Sequence, residues 1–343
     1  MILKKIIKNK NIKKISNNFY TLNTQGYWSN LSYEENKKLV SDLKKHSTRK
    51  LIKQFKKKNL NEVIFSQKRH SGLDLLNLKG FEKVLDFGCM WGALTIPIAK
   101  KTKTVLGIDQ TKESLLFLEK RTYEEKLKNI HFLQANLRDI ELTHSSFDIA
   151  IVNGVLEWIA ETNEVVVDDY LNKKNNIKNE KISPGLIQKK FLQKIVSGLK
   201  KNGKLYLAIE NRYDYKMFFG LKDPHNGTYF TTIFPKFVSN IISLIVKRRP
   251  YRTWIYSVNE LKKILDDLGF GNISLYTAWP DYRLPDQIIP YQNNLNNLKI
   301  CSAYKNSKIT WRKKIAGIIE YILFKKLNLK FLSPSLIFIA VKK

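Results

Sequence analysis

Residues 84–92 read Val84-Leu85-Asp86-Phe87-Gly88-Cys89-Met90-Trp91-Gly92, an apolar strand running into an acid-x-Gly-x-x-x-Gly turn with a helix-forming stretch behind it. A strand, a glycine turn and a helix in this order open a parallel α/β sheet, where ligands sit outside the carboxyl ends of the strands at the topological switch point. The next apolar run, TVLGID at 104–109, places a second acid, Asp109, at its carboxyl end. Two acids and a glycine turn therefore share one crevice.

That crevice is a poor dinucleotide site. The dinucleotide fingerprint G-x-G-x-x-G needs bare backbone against a pyrophosphate, whereas Met90 takes the place of the middle glycine and Asp86 sets negative charge where the anion would lie. A ligand with an amino group, a positively charged sulfur, two ribose hydroxyls and no phosphate suits two acids better, and S-adenosylmethionine is such a ligand. The string resembles that of the class I S-adenosylmethionine-dependent methyltransferases, acid-x-Gly-x-Gly-x-Gly, with Met90 as its one departure. The resemblance implies S-adenosylmethionine as cofactor, held around Asp86, Gly88, Cys89 and Gly92.

Asp109 stands where a carboxylate accepts both ribose hydroxyls, and burying those donors without an acceptor would be costly. Its rival role is a turn or N-cap aspartate before TKESL, a task open also to Thr111. A third strand ends IHFLQAN, placing Asn136 where the resembled family commonly contacts the adenine amino group. A fourth ends FDIAIVN, so Asn153 faces the methyl-transfer position, with Gly154, Glu157 and Trp158 following. Trp158 is read either as a cation-π partner of the sulfonium or as an apolar anchor. The Asn/Asp, two prolines and aromatic that amino-methylating nucleic-acid enzymes use to grip an extruded base are absent here.

From residue 84 strands and helices alternate in the manner of a doubly wound sheet. Strands are expected at 84–89, 104–109, 130–135, 147–153, 204–210, 272–278 and 335–341, and helices near 92–101, 112–128, 184–200 and 257–268. The expected fold is α/β: a Rossmann-like, seven-stranded doubly wound sheet, whose last strand the resemblance makes antiparallel. Residues 1–79 form an N-terminal helical extension, with helix-like spacing at 31–58 and 61–78. Residues 80–343 form the methyltransferase domain, with lid-like insertions at about 161–183, 212–256 and 281–334. Tyr27 and Trp28 are read as part of a lid or as packing for the helical cap.

The 343 residues carry a formal charge of +31, from ten arginines and 51 lysines against 30 acids. A solvated lysine-rich surface and attraction to anionic partners explain this equally. Cys89 and Cys301 lie far apart without metal-ligand spacing, so neither a disulfide scaffold nor a metal site is indicated, and a reducing cytoplasm suits them. No apolar run reaches the ~18–20 residues needed to span a bilayer, and the N-terminus lacks the apolar core of a signal peptide. MILKKIIKNKNIKKIS reads instead as a packed or frayed terminus, or as a basic amphipathic helix whose Ile2, Leu3, Ile6 and Ile7 rest on an anionic membrane surface.

NGVLEW at 153–158, Gln188-x-x-Phe191-Leu192, LAIENR at 207–212, the segment around Pro224-His225, PDYRLP at 280–285 and the closing LSPSLIFIAVK narrow the resemblance. They look like a bacterial and archaeal methyltransferase group associated with surface-polysaccharide and glycan biosynthesis, which implies a small-molecule or glycan-precursor acceptor methylated at oxygen. A hydroxyl acceptor needs a base, and His225, with an unperturbed pKa of about 6.5, is the leading candidate. Glu210 and Arg212 leave the end of a central strand and would orient the acceptor, Arg212 through its forked geometry; an ion pair between them is the plainer alternative. Tyr282 and Arg283 are expected on the acceptor wall. RNA or protein methylation remains an alternative, as does a noncatalytic scaffold subunit of a membrane-associated glycan assembly complex in which Met90 spoils the pocket.

Overall fold

The computed structural model describes residues 2–23, 31–55, 57, 59–161, 182–295, 298 and 311–343. Tyr27, Trp28, Cys301 and residues 162–181, most of the first expected insertion, lie outside them. Among the described residues ten strands make one mixed sheet: β1 (Lys13–Lys14), β2 (Phe19–Thr21), β3 (Lys83–Phe87), β4 (Thr104–Asp109), β5 (Ile130–Gln134), β6 (Phe147–Asn153), β7 (Leu199–Glu210), β8 (Phe270–Trp279), β9 (Gln287–Pro290) and β10 (Ser335–Lys342). Their order is β1-β2-β5-β4-β3-β6-β7-β10-β8-β9. Helices are α1 (Ile2–Ile6), α2 (Tyr33–Ser41), α3 (Thr48–Gln54), α4 (Leu60–Phe65), α5 (Thr95–Ala99), α6 (Lys112–Glu124), α7 (Pro184–Gly198), α8 (Tyr215–Phe218), α9 (Lys236–Lys247), α10 (Val258–Asp267) and α11 (Trp311–Glu320).

The central strands are apolar on both faces because both faces are covered. Successive side chains alternate across the sheet. Leu85, Phe87, Leu106, Ile108 and Val152 pack with Phe191, Leu192 and Ile195 of α7 on one side. Val84, Val105, Ile149 and Ile151 pack with Ile96 and Ile98 of α5 and Leu115 and Leu118 of α6 on the other. Parallel pairing carries β3 against β4 on one side and β6 on the other, so the chain winds outward in both directions from β3. The switch point thus falls at the end of the strand that carries Asp86. β10 runs antiparallel to both neighbours, with Leu336 opposite Ile209 of β7 and Thr277 of β8.

The expected count of seven strands falls short by the two strands of an N-terminal hairpin and by β9. β1 and β2 pair with each other, and β2 joins β5 in parallel, Phe19 beside Phe132. The N-terminal extension is therefore not wholly helical. Short polar-flanked strands such as KK and FYT carry too little alternation to be read from sequence. The N-terminal helix is also not a membrane face: Leu3, Ile6 and Ile7 are buried with Tyr20, Ile140 and Leu142. Just after the second insertion, α10 opens on a capping box, Ser257 Oγ accepting the Glu260 N–H and Glu260 Oε2 accepting the Ser257 N–H at 2.8 Å. In the third, Phe324 stacks edge-on against Trp279 and Tyr215, fixing the segment after α11 to the sheet. Among the described residues no helix is long and apolar enough to cross a membrane.

Candidate active site

The turn after β3 is locked to β4 by its backbone. The N–H groups of Gly88 and Cys89 both donate to Ile108 O, at 2.8 and 3.1 Å. Gly88 and Gly92 have φ of +70° and +75°, and a Cβ on Gly92 would collide with Leu118 of α6. Met90 takes the same left-handed backbone, φ +43°, which favours glycine. Its N–H donates to Asp109 Oδ2 at 2.8 Å, while its side chain packs toward Trp91, Phe117 and the helices of the N-terminal cap. Met90 therefore holds the left-handed backbone that a glycine would favour there. Met90 lines the crevice without filling it: a cavity of about 760 Å³ remains, and the expectation of a spoilt pocket fails on this geometry.

Asp86, Gly88, Cys89, Asp109, Asn136 and Asn153 all line that cavity. Gly92 does not; it serves the close passage of the turn against α6. The Cys89 side chain packs into the core, so the contribution it can make is through its backbone. Asp109 Oδ1 accepts the Thr111 N–H at 2.9 Å, so its turn role and its place in the cavity coexist. Burial pushes its carboxyl up to about 6, against the pull of the Thr111 and Met90 N–H groups. Asp86 accepts from Thr95 Oγ1 at 2.6 Å, and burial pushes it up to about 7. Asn136 Oδ1 accepts the Arg138 N–H at 3.0 Å.

Two residues of the cavity were not singled out from sequence. Arg69, from the 3-10 helix Gln67–Leu76, is buried there; with the Asn153 amide oxygen turned toward it, Nη2 and Nη1 donate at 2.7 and 3.2 Å. Its Nε has no partner, and among the described residues no carboxylate pairs with it. Desolvation lowers its pKa from the usual value. In the sequence, Arg69 falls inside the helix-like stretch 61–78 with nothing to set it apart. Glu157 lies inside a motif that was noticed, one turn beyond Asn153, but only the tertiary structure reveals that its carboxylate is buried with neither oxygen hydrogen-bonded.

Glu157 meets Glu210 and His225 at the other end of the cavity. His225 Nε2 stands 3.7 Å from Glu157 Oε1 and 3.6 Å from Glu210 Oε2, while Nδ1 lies 3.3 Å from Asp223 Oδ1. Burial, and then the neighbouring Glu157, push Glu210 up to about 7. Trp158 packs edge-on to the His225 ring at 5.1 Å between centroids, and Tyr282 and Arg283 line the cavity. Arg212 does not. Its Nε donates to Thr232 O at 3.1 Å, Nη2 donates to Phe234 O at 2.9 Å, and Nη1 pairs with Glu260 rather than Glu210. Both expected roles for Arg212 are corrected: it clamps the 232–234 turn to the cap of α10, because the chain turns away from the cavity immediately after Glu210.

A doubly wound sheet with an acid-glycine turn at its switch point and a second acid on the adjoining strand defines a class I methyltransferase arrangement. Residues 78–218 match the family described as Methyltransferase domain, and S-adenosylmethionine is the cofactor of that domain. Among curated proteins, 82 residues are 35% identical to the 23S rRNA (uracil(1939)-C(5))-methyltransferase RlmD of Aliivibrio fischeri, covering 24% of this chain and 18% of that protein. A stretch of 90 residues is 32% identical to the ubiquinone biosynthesis O-methyltransferase of Haemophilus ducreyi, covering 25% and 38%. The chain thus matches about a fifth of the first relative's length and under two-fifths of the second's. Among solved structures, a SAM-dependent methyltransferase from Archaeoglobus fulgidus aligns over 80% of this chain and 92% of its own, at 14% identity and TM-score 0.42.

Proposed function

We propose that this chain transfers the methyl group of S-adenosylmethionine to an oxygen of a small-molecule or glycan-precursor acceptor. The observation that carries the reading is that one cavity has Asp109, Asn136 and Arg69 among the groups suited to the cofactor and Glu157, Glu210 and His225 clustered at its other end. The residues fit the cofactor. Asp109 would accept the ribose hydroxyls, Asn136 the adenine amino group, and Arg69, which pairs with no carboxylate among the described residues and has its Nε free, would take the methionine carboxylate. Bound there, S-adenosylmethionine supplies a methyl group on a positively charged sulfur that leaves as a neutral thioether. The protein's share is positioning and exclusion of water, and one of the three groups at the far end takes the hydroxyl proton as the C–O bond forms.

Labelled methyl transfer into cell extract, separated into lipid, glycan, RNA and protein, tests this: label in a glycan or small-molecule fraction is expected, and label confined to RNA or protein overturns it. RNA is the second reading, supported by the +31 charge and the similarity to rRNA methyltransferases.

Peripheral contact with an anionic membrane belongs to the same proposal, through α9 rather than α1. This helix is inverted: Ser239 and Ser243 face inward, donating to Thr231 O and Arg249 O at 2.7 and 2.8 Å, while Phe237, Ile241, Leu244, Ile245 and Val246 are exposed. Between residues 215 and 256 the sole acid is the buried Asp223, against seven basic residues. An apolar face flanked by cations suits an anionic bilayer surface. Sedimentation with phosphatidylglycerol vesicles should be lost in Ile245→Glu; sedimentation equal to that of the unaltered chain refutes the contact.

A further inference from the structure

Each of the three groups at the acceptor end offers one ligand atom, from Glu157, Glu210 and His225, and these atoms all lie within 4.8 Å of one another. Donors around a small divalent cation at about 2.1 Å stand about 3 to 3.5 Å apart, so the two separations from His225 Nε2, 3.6 and 3.7 Å, need to close by a few tenths of an ångström, and the two carboxylates, within 4.8 Å of each other, by about 1 Å or less. Glu157 supplies the independent observation. Its carboxylate is buried, both of its oxygens lack any hydrogen-bond partner, and Glu210 Oε2 beside it lacks one too. Buried carboxylates are ordinarily paired, hydrogen-bonded or coordinated to a metal. Among the described residues no lysine or arginine pairs with Glu157 or Glu210; their cationic neighbour is His225, whose Nε2 stands 3.7 and 3.6 Å from them, beyond hydrogen-bond reach.

We infer that Glu157, Glu210 and His225 bind a divalent cation at the acceptor end of the cavity. The inference rests on the methyltransferase reading for its role but not for its existence. Burial opposes protonation of His225, but Asp223, Glu157 and Glu210 outweigh it and hold the imidazole pKa well above its usual value; once that proton is released on binding, two carboxylates and the imidazole carry a charge of −2, matching the ion. The mixed oxygen and nitrogen set suits Mn²⁺, Mg²⁺ or Zn²⁺ rather than a thiolate-seeking metal. Asp223 lies behind the imidazole, 3.3 Å from Nδ1, in the position of the carboxylate that commonly orients a ligating histidine. Trp158 closes the ring's other side. Three protein ligands leave coordination positions open toward the cavity, the arrangement of a catalytic rather than a structural ion. The class of acceptor follows: an oxygen-bearing molecule that reaches the ion through a hydroxyl. The ion would make the hydroxyl proton easier to remove, and the second Glu157 oxygen, not needed as a ligand, would receive it.

The test uses the full chain stripped with chelator and titrated with Mn²⁺, free ion being read by electron paramagnetic resonance, alongside calorimetry with S-adenosylmethionine. A single Mn²⁺ site per chain is expected, weakened about tenfold or more in Glu157→Gln and in Glu210→Gln, with cofactor affinity unchanged by chelation or by either substitution. Retained cofactor binding and a cooperative thermal transition show that the variants fold. Absence of bound Mn²⁺ up to about 1 mM, or binding that both variants retain in full, overturns the cation site while leaving the cofactor pocket standing. Mn²⁺ binding without any cofactor binding supports the cation site and instead defeats the methyltransferase reading.

Discussion

Replacing Asp109 by asparagine separates a group held for a ligand from one held for the fold. The carboxylate keeps its size and position as an amide but loses its charge and one of its two acceptors. Hydrogen bonds to a charged group contribute about 1.5–3 kcal/mol each. Losing one and weakening the other should cost about 2–4 kcal/mol of cofactor binding, or roughly 30- to 700-fold in Kd. The folded chain without cofactor should respond in the opposite sense. Burial raises this carboxyl from 3.8 to about 6, a shift of about 2 units that destabilises the ionised folded form at pH 7 by about 3 kcal/mol. An amide escapes that cost but accepts only one of the two N–H groups, from Met90 or Thr111, and leaving the other unpaired costs about 1–3 kcal/mol, for a net change of about 0–2 kcal/mol in favour of the variant. Calorimetric titration with S-adenosylmethionine and thermal unfolding of the cofactor-free protein measure both quantities. A weakened Kd with an equal or higher Tm is expected. An unchanged Kd refutes the ribose assignment, and a lower Tm refutes the claim that the buried charge is maintained at the expense of stability.

The pH dependence follows from the same two acids. Cofactor binding needs Asp109 ionised, so affinity should weaken about tenfold per pH unit below about 6 and level off above it; affinity independent of pH between 5 and 7 contradicts this. Asp86, raised to about 7, is neutral in folded and unfolded chains below 3.8 and loses stability as pH rises toward 7. The Tm of Asp86→Asn minus that of the unaltered chain should accordingly grow between pH 4 and 7, and a constant difference removes the burial effect. Met90→Gly should bind S-adenosylmethionine within about threefold of the unaltered chain, since relief of the left-handed backbone, about 1 kcal/mol, costs the turn nothing; a large loss in calorimetry would show that the side chain shapes the pocket. Arg212→Ala should lower stability to urea by about 2–4 kcal/mol through the carbonyls of Thr232 and Phe234 left unpaired, with cofactor affinity spared.

The sheet's centre was legible because strands covered on both faces must be apolar along their length, and a glycine turn between such a strand and a helix has few other uses. VLDFG, TVLGID and FDIAIVN satisfy that requirement outright. Their carboxyl ends carry Asp86, Asp109 and Asn153, so half of the cavity came with the fold. β1 and β2 were not legible: their pairing is decided by a partner strand more than a hundred residues away in the chain, Phe19 against Phe132. Arg69 was hidden for a different reason. A lone buried guanidinium within a lysine-rich chain looks like every other surface cation until the tertiary structure closes over it. Arg212 misled because a residue two beyond a strand end sits near the cavity in sequence, while the turn at Asn211, whose Nδ2 donates to Phe331 O and Ser333 O at 2.7 and 2.8 Å, sends the chain away from it. His225 and Glu210 were proposed by residue type and lie together at the cavity; Glu157, which joins them, became visible only as a pair of buried oxygens without a hydrogen-bond donor.

A crystal structure of the chain soaked with S-adenosylhomocysteine tests the cofactor pocket most directly. The ribose hydroxyls should lie on Asp109, the adenine beside Asn136, and the amino-acid carboxylate on Arg69, with the sulfur directed toward Glu157, Glu210 and His225. Density for the ligand elsewhere, or none at a concentration that saturates comparable enzymes, contradicts the assignment of this cavity.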